Sequence, residues 1–241
     1  MRPSITYGSR ARLGLILPSV NVAAEPQVQA MLPAGVTLHA TRLPFVRGEP
    51  AEIEAMLADA PAAALLLRDA GVNVIAFHCT AASTYRTDSD ARVTAAITAA
   101  SGCPATSTGT ALVAALAAFG ARRVALATPY RPEINAREAA FLEARGVAVV
   151  ADLALGLGDG HAMFAVTPEQ WIEQVCRLDA DDADLFFISC AAIRAAEVVE
   201  TLEQRLGRPV VTSNQLVAWH ALRLAGVADG GEGFGRLFRF A

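Results

Sequence analysis

Two of the chain's four cysteines stand in matching surroundings. Cys79 ends the apolar run Val74-Ile-Ala-Phe-His-Cys79 and is followed by Thr80 and Ala81. Cys190 ends the run Leu185-Phe-Phe-Ile-Ser-Cys190 and is followed by Ala191. Their separation is 190 − 79 = 111 residues. The same spacing relates Arg12-Leu-Gly-Leu-Ile-Leu-Pro18 to Arg123-Val-Ala-Leu-Ala-Thr-Pro129, since 129 − 18 = 111. A Gly-x-Pro pair at Gly102 and Gly207 lies 207 − 102 = 105 apart. The chain therefore reads as two similar halves, spanning about 12–118 and 121–225 of one 241-residue unit. Ligands of open α/β sheets bind beyond the carboxyl ends of the strands. If the halves pack about a pseudo-twofold axis, the two thiols face each other across one cleft. Opposed acid/base groups suit proton chemistry at a carbon next to a carboxylate. A thiol fits this task, because its ordinary pKa of about 8.5 is readily lowered towards neutrality.

The elements that must carry these residues are short apolar runs alternating with Ala/Leu/Glu/Arg-rich stretches. Strands are predicted at 12–17, 37–43, 72–78, 123–127, 147–153, 185–189 and 210–212. Helices are predicted at 23–31, 52–70, 88–100, 111–118, 132–145, 168–178, 193–206 and 215–224. Pro132 and Pro168 suit first-turn positions, where a missing N–H costs nothing. Asp88 and Thr167 are candidate N-caps. Continuous apolar strands are the mark of a parallel sheet buried on both faces. The predicted fold is α/β, two similar doubly wound parallel-sheet halves related by a pseudo-twofold axis.

Composition narrows the function. Hydrophobic residues make up 54% of the chain, enough to cover a sheet on both faces, and the net charge of −4 argues against a nucleic-acid groove. No apolar run approaches the roughly 20 residues that span a bilayer, and none near the N-terminus has the form of a signal peptide. The expectation is a cytoplasmic protein with reduced thiols. No two cysteines have zinc spacing, and Gly156-Leu-Gly-Asp-Gly160 fails the dinucleotide pattern, so neither a metal nor another cofactor is expected.

At these residues the sequence resembles the aspartate/glutamate racemase superfamily, and within it the maleate cis-trans isomerase and arylmalonate decarboxylase branch. The carriers are Leu17-Pro-Ser-Val-Asn21 through Glu25-Pro26, Cys79-Thr-Ala-Ala-Ser-Thr-Tyr85, Ala125-Leu-Ala-Thr-Pro-Tyr130, Ser189-Cys-Ala191, and Thr212-Ser-Asn-Gln215 with Trp219-His-Ala-Leu222. The resemblance covers nearly the whole chain. It implies a cofactor-independent enzyme in which Cys79 and Cys190 are catalytic. Asn21 and Tyr130 would bind substrate carboxylates, helped by Thr80, Ala81 and Ala191 next to the cysteines. The decarboxylases look like they carry glycine at the position of Cys79, whereas isomerases and racemases have both thiols, as here. The implied reaction is the isomerisation of a small unsaturated dicarboxylate through a cysteine adduct and an enediolate. A racemase or decarboxylase would use the same enediolate, and a non-catalytic carboxylate-binding module is the reading from another class. One departure stands out. Isomerases commonly carry asparagine in the segment matching Gly158-Asp-Gly-His161, and this chain has none, which points to a substituted or larger acid. Self-association is left open.

Each residue also has a plainer reading. Free cysteines are often small buried hydrophobes, as is expected of Cys103 and Cys176. Asn21 can cap the following helix, a role compatible with binding. Tyr130 can be an aromatic plug, and Thr80 can simply begin a turn. His78 should face away from Cys79 by strand alternation and be a packed or surface residue rather than a base. His220 is expected to be structural.

Overall fold

A computed structural model describes residues 5–241. It contains two parallel four-stranded sheets. The first is built from β1 (Ala11–Pro18), β2 (Val36–Leu43), β3 (Val74–Phe77) and β4 (Ala105–Ser107), in the order β2-β1-β3-β4. The second is built from β5 (Arg123–Thr128), β6 (Ala148–Ala154), β7 (Leu185–Ile188) and β8 (Val210–Thr212), in the order β6-β5-β7-β8. The two orders are the same when each strand is matched to its counterpart. The α/β class and the paired halves expected from the 111-residue spacing are thus what the chain forms. The central pair also matches: β1 pairs β3 from Leu13↔Val74, and β5 pairs β7 from Val124↔Leu185.

Parallel strands need crossovers, and helices supply them. In chain order these are α1 (Ala24–Met31), α2 (Pro50–Asp69), α3 (Thr80–Ser83), α4 (Ser89–Ser101), α5 (Thr108–Phe119), α6 (Pro132–Glu143), α7 (Gly160–Ala165), α8 (Pro168–Cys176), α9 (Val199–Leu206) and α10 (Ser213–Leu224). Alternation then sorts the side chains of each central strand. Val74 and Ala76 of β3 and Leu185 and Phe187 of β7 enter one apolar cluster that spans both halves. Leu112, Leu116, Leu216 and Leu222 of α5 and α10 complete it. Ile75 and Phe77 point the other way, to Ile53, Met56 and Ile97 of α2 and α4. Phe186 and Ile188 join Trp171 and Leu202 in a third cluster. The halves therefore share a core.

Several boundaries differ from expectation, each for a local reason. Strand β4 was not predicted, because Ala105-Thr-Ser forms no apolar or β-branched run, unlike the equally short Val210-Val-Thr. Its counterpart β8 was predicted, and the Gly-x-Pro repeat relates the two. Gly102 and Gly207 end α4 and α9 in the left-handed region, at φ +74° and +66°, which only glycine enters freely. The helix predicted from 193 begins later, with a 3₁₀ turn at Ala196–Val198 ahead of α9. Thr167 caps α8 as expected, accepting from Gln170 N at 3.3 Å, and Gln170 answers in a capping box. Asp88 occupies the N-cap position of α4 without a side-chain bond to it. Its backbone, at φ −116° and ψ 1°, is not extended as a capping residue needs. Among the described residues no helix is long and apolar enough to cross a membrane.

Phe187 is fully buried where the two halves meet. Phe187→Ala is expected to lower the unfolding free energy by about 3–5 kcal/mol, read from urea denaturation followed by circular dichroism. A loss below about 1 kcal/mol would contradict a shared core.

Candidate active site

Each cysteine sits where a central strand gives way to a turn. Cys79 follows β3 and is the N-cap of the one-turn helix α3. The first N–H groups of a helix have no intrahelical acceptor. Those of Thr80 and Ala81 are therefore open to an anion, while that of Ala82 serves the Cys79 thiol. Cys190 follows β7 with φ +110°, the one non-glycine residue with positive φ among the described residues. For a residue with a Cβ this is a strained conformation, costing about 1–3 kcal/mol, and such strain gathers at functional sites. Ala192 N donates to Cys190 Sγ at 3.3 Å.

Both thiols line one cleft, together with Asn21, Thr80, Ala81, Tyr130 and Ala191. All seven residues singled out from the sequence are thus in one place. Pro18, Val20, Ile134 and Met163 form its apolar wall, and Arg47 stands in its lining on the loop before α2. Asn21 serves the start of the following helix, although Ala23 holds the N-cap position itself. Its Oδ1 accepts from Ala23 N and Ala24 N, each at 2.9 Å, at the start of α1. Its Nδ2 is buried and has no partner. An unpaired buried donor is costly, and this one belongs to a residue that lines the cleft. Arg42 holds this loop by donating to Asn21 O at 2.6 Å and pairing with Glu25.

Thr80 lines the cleft and begins α3. Its hydroxyl donates to Ser213 Oγ at 2.8 Å, and so only its N–H is free for a substrate. Ser213 Oγ also accepts from Cys190 N at 3.0 Å. The next residue, Asn214, accepts from His78 Nε2 at 2.6 Å through Oδ1 and donates to Gln27 Oε1 at 2.7 Å. Gln27 Nε2 in turn donates to Ile193 O at 2.7 Å. The start of α10 therefore grips the turns of both cysteines at once.

His78 faces the shared core, as alternation requires, and is fully buried. With Nε2 donating to Asn214, its Nδ1 accepts from Thr108 Oγ1 at 3.0 Å, and the ring is neutral. Burial pushes its pKa down to about 4 against the opposing effect of Asn214. His220 is structural too, bonded to Thr106 Oγ1 at 2.7 Å and stacked on Trp219.

The expectation of a thiol lowered towards neutrality is not met. Burial pushes Cys79 up to about 12, although Ala82 N–H pulls the other way. It pushes Cys190 up to about 11, opposed by the Tyr130 hydroxyl and Ala192 N–H. Desolvation of a thiolate outweighs one or two donors. The expectation for Cys176 also fails, because that thiol is exposed rather than packed, while Cys103 is half-buried.

The departure at Gly158–His161 has a steric counterpart. Asp159 caps α7 through His161 N and Ala162 N, and Gly160 faces the cleft. A Cβ on Gly160 would come within 2.8 Å of Val20 Cγ1, so Val20 occupies the space a side chain at 160 would need. Val20, Met163, Ser213, Asn214, Gln27 and Glu138 were not found from the sequence. A signal for two of them was present: Gln27 and Glu138 are also 138 − 27 = 111 apart.

Two matched α/β halves with a thiol from each in a common cleft define a racemase-type α/β enzyme. The profile of the arylmalonate decarboxylase family matches residues 13–238, and the chain belongs to that family. Arylmalonate decarboxylase of Bordetella bronchiseptica is 32% identical over 232 residues, covering 92% of this chain and 96% of that protein. Maleate isomerase of Nocardia farcinica is 31% identical over 239 residues, with 95% of each chain covered. The structure of a cysteine-to-serine mutant of Nocardia farcinica maleate cis-trans isomerase, with a covalently bound succinylcysteine intermediate, superposes with a TM-score of 0.88. It shares 28% identity over 95% of this chain and 98% of its own.

Two outcomes follow from burial. Cys176 is expected to react first with iodoacetamide, as shown by peptide mapping of the substrate-free protein. Alkylation of Cys79 is expected to be slow at neutral pH and to rise about tenfold per pH unit, because only the thiolate reacts. Fast neutral labelling of Cys79 would mean that its thiol is not desolvated. For His78, the folded-state pKa lies below the ordinary 6.5, so its stabilising contribution is full above pH 6.5 and is lost as pH falls towards 4. The loss is about 3 kcal/mol, and His78→Gln should remove that part of the pH dependence of urea unfolding.

Proposed function

We propose that this chain is a cofactor-independent cis-trans isomerase of a small unsaturated dicarboxylate, of the maleate-to-fumarate kind. The observation that carries the reading is the pair of thiols, one from each half, lining a single cleft. A decarboxylation alone needs one proton donor, whereas adduct formation and protonation use two groups. The covalent succinylcysteine in the Nocardia farcinica isomerase supports the same chemistry.

The reactive form carries one proton on the two thiols. Cys79, as thiolate, adds to the alkene carbon β to one carboxylate. The C–S bond forms, and the π electrons move onto that carboxylate as an enediolate. Tyr130 hydroxyl, Asn21 Nδ2 and the N–H groups of Thr80, Ala81 and Ala191 are the donors for the charged oxygens, as in an oxyanion hole. Cys190 gives its proton to the α-carbon and becomes the thiolate. The former double bond is now single and rotates. Cys190 then takes a proton back, the C–S bond breaks, and the trans alkene leaves with Cys79 again a thiolate. The covalent step divides one large barrier into two smaller ones.

A second reading, decarboxylation of an arylmalonate, is favoured by the apolar wall of Pro18, Val20, Ile134 and Met163, which suits an aromatic group. Incubating the protein with maleate, aspartate, glutamate and an arylmalonate in D2O, each followed by proton NMR, separates these readings, since racemisation shows as loss of the α-proton signal. Fumarate from maleate is the expected product. Loss of carbon dioxide from the arylmalonate with no fumarate formed would select the second reading. No turnover of any would leave a binding module.

Cys79→Ala and Cys190→Ala are each expected to abolish isomerisation while circular dichroism stays native. Retention of more than a few per cent of activity by either variant would remove the two-thiol mechanism. Tyr130→Phe deletes one hydrogen bond to a charged group, worth about 1.5–3 kcal/mol. It should lower kcat/KM by about 10-fold to 100-fold. Unchanged kinetics would take Tyr130 out of the site.

A further inference from the structure

Glu138 on α6 is fully buried and plays no part in the chemistry above. Ser189 Oγ lies 2.7 Å from one of its carboxyl oxygens and 2.8 Å from the other. A hydroxyl has one proton and can donate to only one oxygen in a full hydrogen bond. Both contacts become hydrogen bonds when the carboxyl is protonated: Ser189 donates to one oxygen, and the acid O–H of the other donates back. An ionised carboxylate would instead share a single donor in an interior that penalises charge heavily.

Among the described residues no cation pairs with Glu138 to offset that penalty. On α6 itself, Arg137 lies over the Tyr85 ring at 4.9 Å. Arg145, just past its end, pairs at 2.8 Å with Asp90 of α4. Arg131, at its start, pairs with Glu49 and Glu133. Asp152 of β6 is held at 2.6 Å by Asn135 Nδ2. The titratable groups facing Glu138 from the other elements are Cys190 after β7 and Tyr130 after β5, and a charge on Glu138 acts on both. Burial accordingly pushes Glu138 up to about 7.

The repeat gives an independent indication. Glu138 and Ser189 stand 111 residues after Gln27 and His78. In the first half, Gln27 is a neutral amide wired through Asn214 to a neutral imidazole. The second half places a carboxyl at the same station, where its neutral form is the isostere of that amide.

We propose that Glu138 is a positioning residue that must be protonated for the cleft to work, its ionisation placing a negative charge behind Cys190 and Tyr130 that opposes both the Cys190 thiolate and an anionic substrate. This rests on the reading of Cys190 as the acid/base thiol and of the substrate as a carboxylate. The sign follows directly. As pH rises through the Glu138 titration, the wild-type protein is penalised, and Glu138→Gln, fixed in the neutral form, is not.

Three measurements test it. In wild-type protein labelled with ¹³C at the glutamate carboxyl carbons, one resonance should titrate near pH 7, be absent from Glu138→Gln, and shift in Ser189→Ala. If every glutamate titrates below about pH 6, the proposal is overturned, whether or not Glu138→Gln folds. Next, the ratio of kcat/KM for Glu138→Gln over wild type should rise several-fold from about pH 6 to about pH 9 on the dicarboxylate that is turned over. A flat ratio overturns the proposal. Finally, the ratio of Cys190 alkylation rates in the same two proteins should rise over that range, and a flat ratio again overturns it. The first and third arms need no turnover, so they distinguish failure of this inference from failure of the isomerase reading.

Discussion

The N-terminus of α10 is the constraint on which the site depends. Ser213 and Asn214 are adjacent, yet between them they hold Cys190 N, Thr80 Oγ1, His78 Nε2 and, through Gln27, the carbonyl of Ile193. Two cysteine turns from two sheets are thereby referred to one rigid helix end. The Ser213 bond to Cys190 N is also what opposes the strain of φ +110° at that residue. A strained turn persists only where its surroundings over-determine it. Leu216 and Leu222, farther along α10, lie in the core that both halves share, so the clamp is anchored by packing as well as by hydrogen bonds. Polar networks of this kind are worth having only when every member is satisfied, and each named donor in this one has an acceptor.

The same burial that makes the clamp rigid sets the chemistry of the thiols. In the free protein desolvation dominates both cysteines, and the nearby donors reduce its effect without overcoming it. A dry site strengthens every interaction with charge that develops during reaction. In the proposed reaction the N–H groups of Thr80 and Ala81 and the unpaired Nδ2 of Asn21 would be donors fixed in advance, so their alignment would cost nothing at the moment of reaction. Keeping the thiols protonated in the empty cleft also protects them from oxidation, which follows thiolate character and access.

Much of this was legible in the sequence because it depends on spacing. The 111-residue repeat placed Cys79 and Cys190 at equivalent strand ends, and strand alternation placed His78 on the opposite face. Apolar runs located seven of the eight strands, and β4 escaped because Ala105-Thr-Ser is not an apolar run. What was not legible depends on distances that no local pattern encodes. Thr80 bonding to Ser213, 133 residues away, is one example. Asn214 bonding to His78, 136 residues away, is another. The lowered thiol pKa was expected because a thiol's ordinary pKa is readily lowered, whereas the depth of burial decides it. Cys176 misled for the opposite reason: cysteine is buried by habit, but here it ends an amphipathic helix on the solvent side.

The repeat also shows how two like halves come to do unlike things. Cys79 has φ −143° and caps a helical turn, whereas Cys190 has φ +110° and takes a bond from Ala192 N. Thr80 corresponds to Ala191, so the hydroxyl that reaches Ser213 exists on one side only. His78 corresponds to Ser189, and Gln27 to Glu138, so the polar pair behind one thiol cannot change its charge near neutrality and the pair behind the other can. Tyr130 stands beside Cys190, and the position 111 residues earlier is Ser19, whose hydroxyl is occupied with the backbone of Phe45. Every difference lies within a residue or two of a strand end or on the first turns of a helix, where the strands' own packing is undisturbed. A symmetric scaffold can hold two thiols at equal stations, but only asymmetric neighbours can give them unlike surroundings.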